Sequence, residues 1–245
     1  MPILRALLWP AQYLVWRSRP LKARNLLRFA ETEADGGRDI VRAAEMTRDP
    51  VLRRLFIFHA KDEQRHSDLF RKRGASLLLA LPREARGSVC GGWLTPGERG
   101  LDDLKVGEET DASLLAFLHL SEKAAAKDFT VYRDLLSADP QTRALFEEIL
   151  HDETFHMNYT LAQLKRVAPR RRGWHLWSAR LKRLWKGYLR VAGALAGVIS
   201  RIVLTVLYFV LLPPFAWLAK SAQRREAVGW SPVAARGAEA MKDQY

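Results

Sequence analysis

One cysteine, Cys90, stands in the whole chain. No intrachain disulfide can form, and metal sites built from several thiolates are excluded. A reducing compartment is consistent with that. Acidic side chains are scarce as well: 27 Asp and Glu against 40 Lys and Arg, a net charge of +13 at pH 7. No small-residue cleavage site follows an apolar stretch near the start, so a cleavable signal is not expected. Long apolar runs are rare, and the main one lies near the C-terminus. The 245 residues suffice for one domain with extensions.

What the chain does have is a repeated hexapeptide. Lys61-Asp62-Glu63-Gln64-Arg65-His66 and His151-Asp152-Glu153-Thr154-Phe155-His156 both read Asp-Glu-x-x-His. On a helix, residues i and i+3 share a face, so Glu63 with His66, and Glu153 with His156, can each grip one ion. The flanks repeat too. Asp49-Pro50, Arg53, Leu55-Phe56 precede the first copy, and Asp139-Pro140, Arg143, Leu145-Phe146 precede the second. Fourteen residues separate Asp49 from Glu63, and fourteen separate Asp139 from Glu153. The unit of this repeat is a helix pair about ninety residues long.

A dinuclear carboxylate site needs one Glu from each of two further helices beside the two Glu-x-x-His pairs. Thr32-Glu33-Ala34-Asp35-Gly36-Gly37-Arg38-Asp39 aligns with Ser121-Glu122-Lys123-Ala124-Ala125-Ala126-Lys127-Asp128. Glu33 and Glu122 are therefore the matching pair. Leu26, Phe29, Ala30 and Ile40 give Glu33 an apolar helical face, as Leu115 and Leu118 do for Glu122. Glu31 is the rival of Glu33, on a face that carries Arg24, Arg28, Asp35 and Arg38.

Two Glu…Asp-Glu-x-x-His halves resemble the ferritin-like diiron-carboxylate superfamily, which includes rubrerythrins, demethoxyubiquinone hydroxylases and bacterial multicomponent monooxygenases. The resemblance covers about Ala23 to Val167. It implies an all-α fold: a ferritin-like four-helix bundle of two hairpin repeats around two iron ions, with manganese or a mixed pair as variants. It implies Glu33, Glu63, His66, Glu122, Glu153 and His156 as metal ligands, with Glu63 and Glu153 as bridging, catalytic carboxylates. In the monooxygenase-like relatives the Asp of one motif serves the His of the other. Asp62 is thus expected near His156 and Asp152 near His66, the alternative being two surface carboxylates. Where rubrerythrin-like proteins often carry an extra Glu stands Ala125, and no Cys-x-x-Cys module exists; both weigh against a rubrerythrin-type peroxidase.

Helices are expected over 21–46, from Pro50 to about Arg73, from Asp111 as N-cap, and from Pro140 to before Pro169, within a domain of residues 21–168. Residues 76–111 form the crossover. His59, one turn before Glu63, is either a donor beside the ligands or a structural histidine. Gly36-Gly37 and Ala125-Ala126 either leave room beside the metals or let helices approach closely.

The ends read differently. Residues 1–20 combine Trp9, Tyr13 and Trp16 with Arg5, Arg17 and Arg19. They form an interfacial amphipathic segment or a helix packed on the domain. Residues 169–190 interleave basic residues with Trp174, Trp177, Trp185 and Tyr188. Such a pattern suits nucleic acid or a lipid headgroup layer. The next stretch decides for lipid: Ile202 to Leu218 is apolar apart from Thr205. A membrane helix is expected within 191–219, bent at Pro213-Pro214 or turning there as a re-entrant hairpin. Positive charge before it favours a bundle on the cytoplasmic side. Residues 220–245 are a basic tail.

The functional expectation is a membrane-attached oxidoreductase that activates O2 or peroxide, with an unidentified electron donor and a lipid-soluble substrate. Iron handling as a ferroxidase, and a metal-stabilised scaffold, are the alternatives. Homo-oligomerisation is left open.

Overall fold

A computed structural model describes residues 12–90, 106, 107 and 109–223. The chain divides into two compact units, one ending at Arg183 and the other starting at Leu184. Among the described residues the regular structure is helical and no strand occurs. The helices are α1 (Arg19–Met46), α2 (Pro50–Leu79), α3 (Arg83–Cys90), α4 (Asp111–Leu135), α5 (Pro140–Val167) and α6 (Arg172–Gln223). Residues 12–17 are helical as well.

The repeated Asp-Pro pairs start α2 and α5. Asp49 Oδ1 accepts from the backbone N–H groups of Val51 and Leu52, at 2.8 and 3.2 Å. Asp139 Oδ1 accepts from that of Thr142 at 3.1 Å. Each side chain satisfies donors that the first turn leaves unpaired, and the following proline has no N–H to lose. At α4 the expectation moves by one residue. Thr110, extended at φ −77° and ψ 155°, is the N-cap, and Asp111 is the first helical residue. Asp111 instead accepts from the Thr47 hydroxyl at 2.9 Å, tying α4 to the α1–α2 turn.

In the first unit α1 packs along α2 and α4 packs along α5; α2 and α5 also touch. Gly37 shows how close α1 comes to α2. A Cβ there would lie 3.3 Å from both the Ala60 carbonyl oxygen and Glu63 Cβ. Close approach is therefore the role of Gly37, while Gly36 and Ala125 line a pocket described below.

Two apolar clusters flank the middle of these helices. One joins Ile40, Leu52, Phe56, Leu115, Leu118 and Leu164. The other joins Leu26, Phe70, Phe129, Phe146, Ile149 and Trp16. Trp16 is 2 % exposed and sits edge-on to Phe146, ring centroids 5.3 Å apart. This part of the expected interfacial segment is thus core, because an indole next to Phe146 and Tyr132 buries more apolar area than at a headgroup layer. Residues 1–11 of that segment, Trp93 in the crossover and tail residues 224–245 lie outside the described residues.

The second unit is described by the continuation of α6. This helix passes through Pro213 and Pro214 without a turn, so a hairpin at the prolines does not form. The expected basic segment and the expected apolar helix are parts of one 52-residue helix. Among the described residues α6 alone is long and apolar enough to cross a membrane, and its apolar stretch is exposed within the protein.

Candidate metal centre

Between the two apolar clusters the helices turn polar side chains inward. Glu33 comes from α1, His59, Glu63 and His66 from α2, Glu122 from α4, and Glu153 and His156 from α5. These form two sets of four donors. Glu33, Glu63, His66 and Glu153 offer ligand atoms within 4.8 Å of one another, and so do His59, Glu63, Glu122 and His156. Glu63 belongs to both sets. The six residues expected from the repeat are all present, and His59 adds a seventh. Glu31 lies apart, paired with Arg71 at 3.4 Å.

Each Asp-Glu-x-x-His copy reaches across to the other. His66 Nε2–H donates to Asp152 Oδ2 at 3.1 Å, and His156 Nε2–H donates to Asp62 Oδ2 at 3.1 Å. The two aspartates are partly buried rather than free surface groups. Asp152 is also paired with Arg65, whereas the position matching Arg65 in the second copy is Phe155. Carboxylates behind the rings fix both tautomers and leave both Nδ1 atoms facing the interior.

Those Nδ1 atoms are the strongest local sign of a missing partner. His66 Nδ1, His156 Nδ1 and Glu153 Oε2 are buried without a hydrogen bond. Such groups cost roughly 1–3 kcal/mol each when nothing satisfies them. Their nearest carboxylate oxygens stand off, at 3.6 Å from His66 Nδ1 to Glu153 Oε1 and 3.8 Å from His156 Nδ1 to Glu63 Oε1. These gaps are too long for a hydrogen bond. They match two donors on one cation with bonds of about 2.0–2.2 Å.

Electrostatics point the same way. Burial raises all four glutamates above the usual carboxylate range, Glu63 and Glu153 most, and mutual repulsion adds to it for those two. Burial pushes His66 down to about 4, against the opposing pull of Asp152. Burial also holds His59 well below its ordinary value, reinforced by its imidazole neighbours. Asp62 is lowered, chiefly by the hydrogen bond from His156. Three buried carboxylates and the half-buried Glu33, beside His59 and His66 that burial disfavours in charged form, make a site that a divalent cation would relieve of its repulsion. The residues fit a metal ion, and by count and sharing they fit two.

Two groups around the centre escaped the sequence reading. Tyr159 is buried, with its hydroxyl 2.7 Å from His59 Nδ1. It falls three residues after His156, on the same helical face, which is the signal that could have found it. His119, three residues before Glu122, donates from Nδ1 to the Met157 carbonyl at 2.9 Å and ties α4 to α5. A pocket of about 250 Å³ opens between α1 and α4 and reaches Glu33, Glu63 and Glu122. Gly36, Ile40, Leu118 and Ala125 make its apolar wall. Arg183 borders it and donates to the Leu120 carbonyl at 2.7 Å.

No protein-family model matches the chain, and no curated protein or solved structure matches it either.

Proposed function

We propose that the chain is a membrane-attached ferritin-like diiron-carboxylate protein, an oxidoreductase that turns O2 or peroxide on a lipid-soluble substrate. The observation that carries this reading is the pair of four-donor sets that share Glu63. Two helix hairpins, each bringing a Glu and a Glu-x-x-His, are what a four-helix bundle with a dinuclear centre requires. Glu33, Glu63, His66, Glu122, Glu153 and His156 would hold the metals; of the two expected bridging carboxylates, Glu63 is offered to both donor sets and Glu153 to one. Oxygen-rich donors with imidazole suit iron first, with manganese or a mixed pair as variants. Bound iron supplies electrons to O2 or peroxide, chemistry that protein side chains do not perform.

The chain's own residues do the rest. Asp62 and Asp152 hold the ring N–H of His156 and His66, which keeps both imidazoles aimed inward. Apolar clusters on either side keep bulk water from the centre. The pocket between α1 and α4 gives a small molecule a route to the carboxylates, with room beside Gly36 and Ala125. Attachment would come through α6, whose apolar stretch has the length and composition of a spanning helix. Basic residues ahead of that stretch favour the bundle on the cytoplasmic side. An electron donor is implied, and nucleic acid is not the expected partner of the basic residues.

Iron oxidation without an organic substrate is the second reading. Glu33, Glu122 and Asp128 on the pocket wall favour it, because carboxylates lining a route to the centre attract cations. Metal analysis of the purified full chain tests the shared premise, and two iron ions per chain are expected. Anaerobic reduction and then O2, followed in the near-ultraviolet, tests the chemistry. Consumption of O2 that accelerates with lipid extract supports the oxidoreductase. Consumption that tracks added Fe(II) alone supports iron oxidation. A chain that retains no metal removes both.

A further inference from the structure

The two halves of the repeat differ on one side of the centre. One turn before Glu63 stands His59; one turn before Glu153 stands Ile149. Six residues after Glu153 stands Tyr159; six after Glu63 stands Leu69. The fold thus accepts an apolar side chain where His59 sits, and Ile149 is itself fully buried. Packing alone does not call for a histidine there.

His59 is built like the two motif histidines. Each ring has one nitrogen held from behind and the other turned to the carboxylates. For His66 the holder is Asp152, for His156 it is Asp62, and for His59 it is Tyr159, 2.7 Å from Nδ1. The other His59 nitrogen, Nε2, is hydrogen-bonded to Glu63 Oε1 at 2.9 Å, unlike the unpartnered inward nitrogens of His66 and His156, and lies 3.7 Å from Glu122 Oε1; a cation between His59 and Glu63 would replace that hydrogen bond. Its ring stacks on that of His156, with centroids 3.7 Å apart, so the two imidazoles face the same volume. A phenol oxygen can accept from Nδ1–H, which leaves the Nε2 lone pair for a cation. A ligating histidine almost always has its far nitrogen held in this way.

We propose that His59 is a seventh ligand, so that the centre comprises two unlike cation sites. His59, Glu63, Glu122 and His156 make a site of two imidazoles and two carboxylates. Glu33, Glu63, His66 and Glu153 make a site of one imidazole and three carboxylates. Imidazole-rich sites suit zinc, cobalt or iron, and carboxylate-rich sites suit manganese. The two sites therefore differ in preference, and when unlike cations are offered the nitrogen-preferring one takes the site beside His59 and Tyr159. This inference rests on the metal-centre reading above and deepens it.

The test uses the full chain in detergent, stripped of metal, given one equivalent of Zn(II) and then excess Mn(II), desalted and analysed for both. One zinc and one manganese per chain are expected. His59→Ile, which copies the other half, lowers the tighter zinc affinity about 100-fold and abolishes the one-to-one pair. Tyr159→Phe keeps the ring and loses the oxygen behind Nδ1; its zinc affinity falls about 10-fold. Circular dichroism checks that the variants fold. The cobalt-loaded wild-type chain gives an independent count. Three exchangeable imidazole N–H protons shifted by Co(II) are expected, against two if only His66 and His156 ligate. An unchanged zinc affinity in His59→Ile, or a count of two, overturns the seventh ligand while the dinuclear reading stands. A wild-type chain that binds no divalent cation overturns the dinuclear reading and this inference with it.

Discussion

The hairpins α1–α2 and α4–α5 share a motif but not a neighbourhood. Both begin their second helix with a capping Asp and Pro, and both turn Glu and His inward at the same spacing. Around that common frame the first hairpin supplies His59 and a glycine pair, and the second supplies Tyr159, His119 and two alanines. Identical positions are those where geometry leaves no choice: a cap, a candidate ligand, the carboxylate behind a candidate ligand. Divergent positions are those that line the donor sets and the pocket beside them. A duplicated hairpin thus yields a symmetric frame with an asymmetric interior.

The largest test of that view is the shared ligand. Glu63 belongs to both donor sets and Glu153 to one. Glu63→Ala should therefore abolish binding of both cations, whereas Glu153→Ala should leave one per chain. Equal losses in metal analysis would show the halves to be equivalent after all. Next come the paired phenylalanines, each fully buried. Phe146 touches a ring cluster of Trp16, Phe29, Phe70, Phe129 and Tyr132, while Phe56 lies among aliphatic side chains. Truncation to Ala should cost about 3–5 kcal/mol at either site. Phe146→Ala should cost about 1 kcal/mol more, from lost aromatic pairs, in urea unfolding.

Gly37 offers a smaller effect. A methyl group there gains about 1 kcal/mol of helix propensity but meets the Ala60 carbonyl, which cannot swing away. Overpacking of about 1–3 kcal/mol should win, so Gly37→Ala should lower the melting temperature. The smallest effect concerns the caps. Asp139 is held at about 2: its partial burial works upward, and the hydrogen bonds from Lys22 and Thr142 outweigh it. Its folded value is depressed, so the stability it adds is present above its ordinary 3.8 and is lost as pH falls through about 2. Acid titration of stability should lose its lowest-pH component in Asp139→Asn. Asp49, lowered chiefly by Arg166, should show the weaker counterpart in Asp49→Asn.

Much of the candidate site was legible because helical spacing and the repeat are properties of the chain itself. Glu33 and Glu122 emerged from alignment of the halves, and the caps Asp49 and Asp139 from their prolines. The crossed pairs Asp62–His156 and Asp152–His66 were expected from resemblance and are present. The role of His59 was not legible, since a histidine one turn from a ligand suits a core or a donor equally. Tyr159 was missed because it has no counterpart in the first half to flag it. Trp16 looked interfacial because aromatic and basic residues interleave in the same way on a lipid surface and on a protein core.

Spacing along one strand of chain was enough to say that residues three apart on a helix share a face, and that two such pairs belong together. The amino-acid order alone therefore determined the hairpin pairing, the caps at Asp49 and Asp139 and the candidate donors, with Glu31 still a rival of Glu33. Which nitrogen of each imidazole faces inward, which carboxylate spans both donor sets and which wall opens to a pocket depend on contacts between residues about thirty to one hundred apart. Those contacts exist only once the hairpins close on each other, because burial and repulsion in the interior are set by what packs from the opposite side.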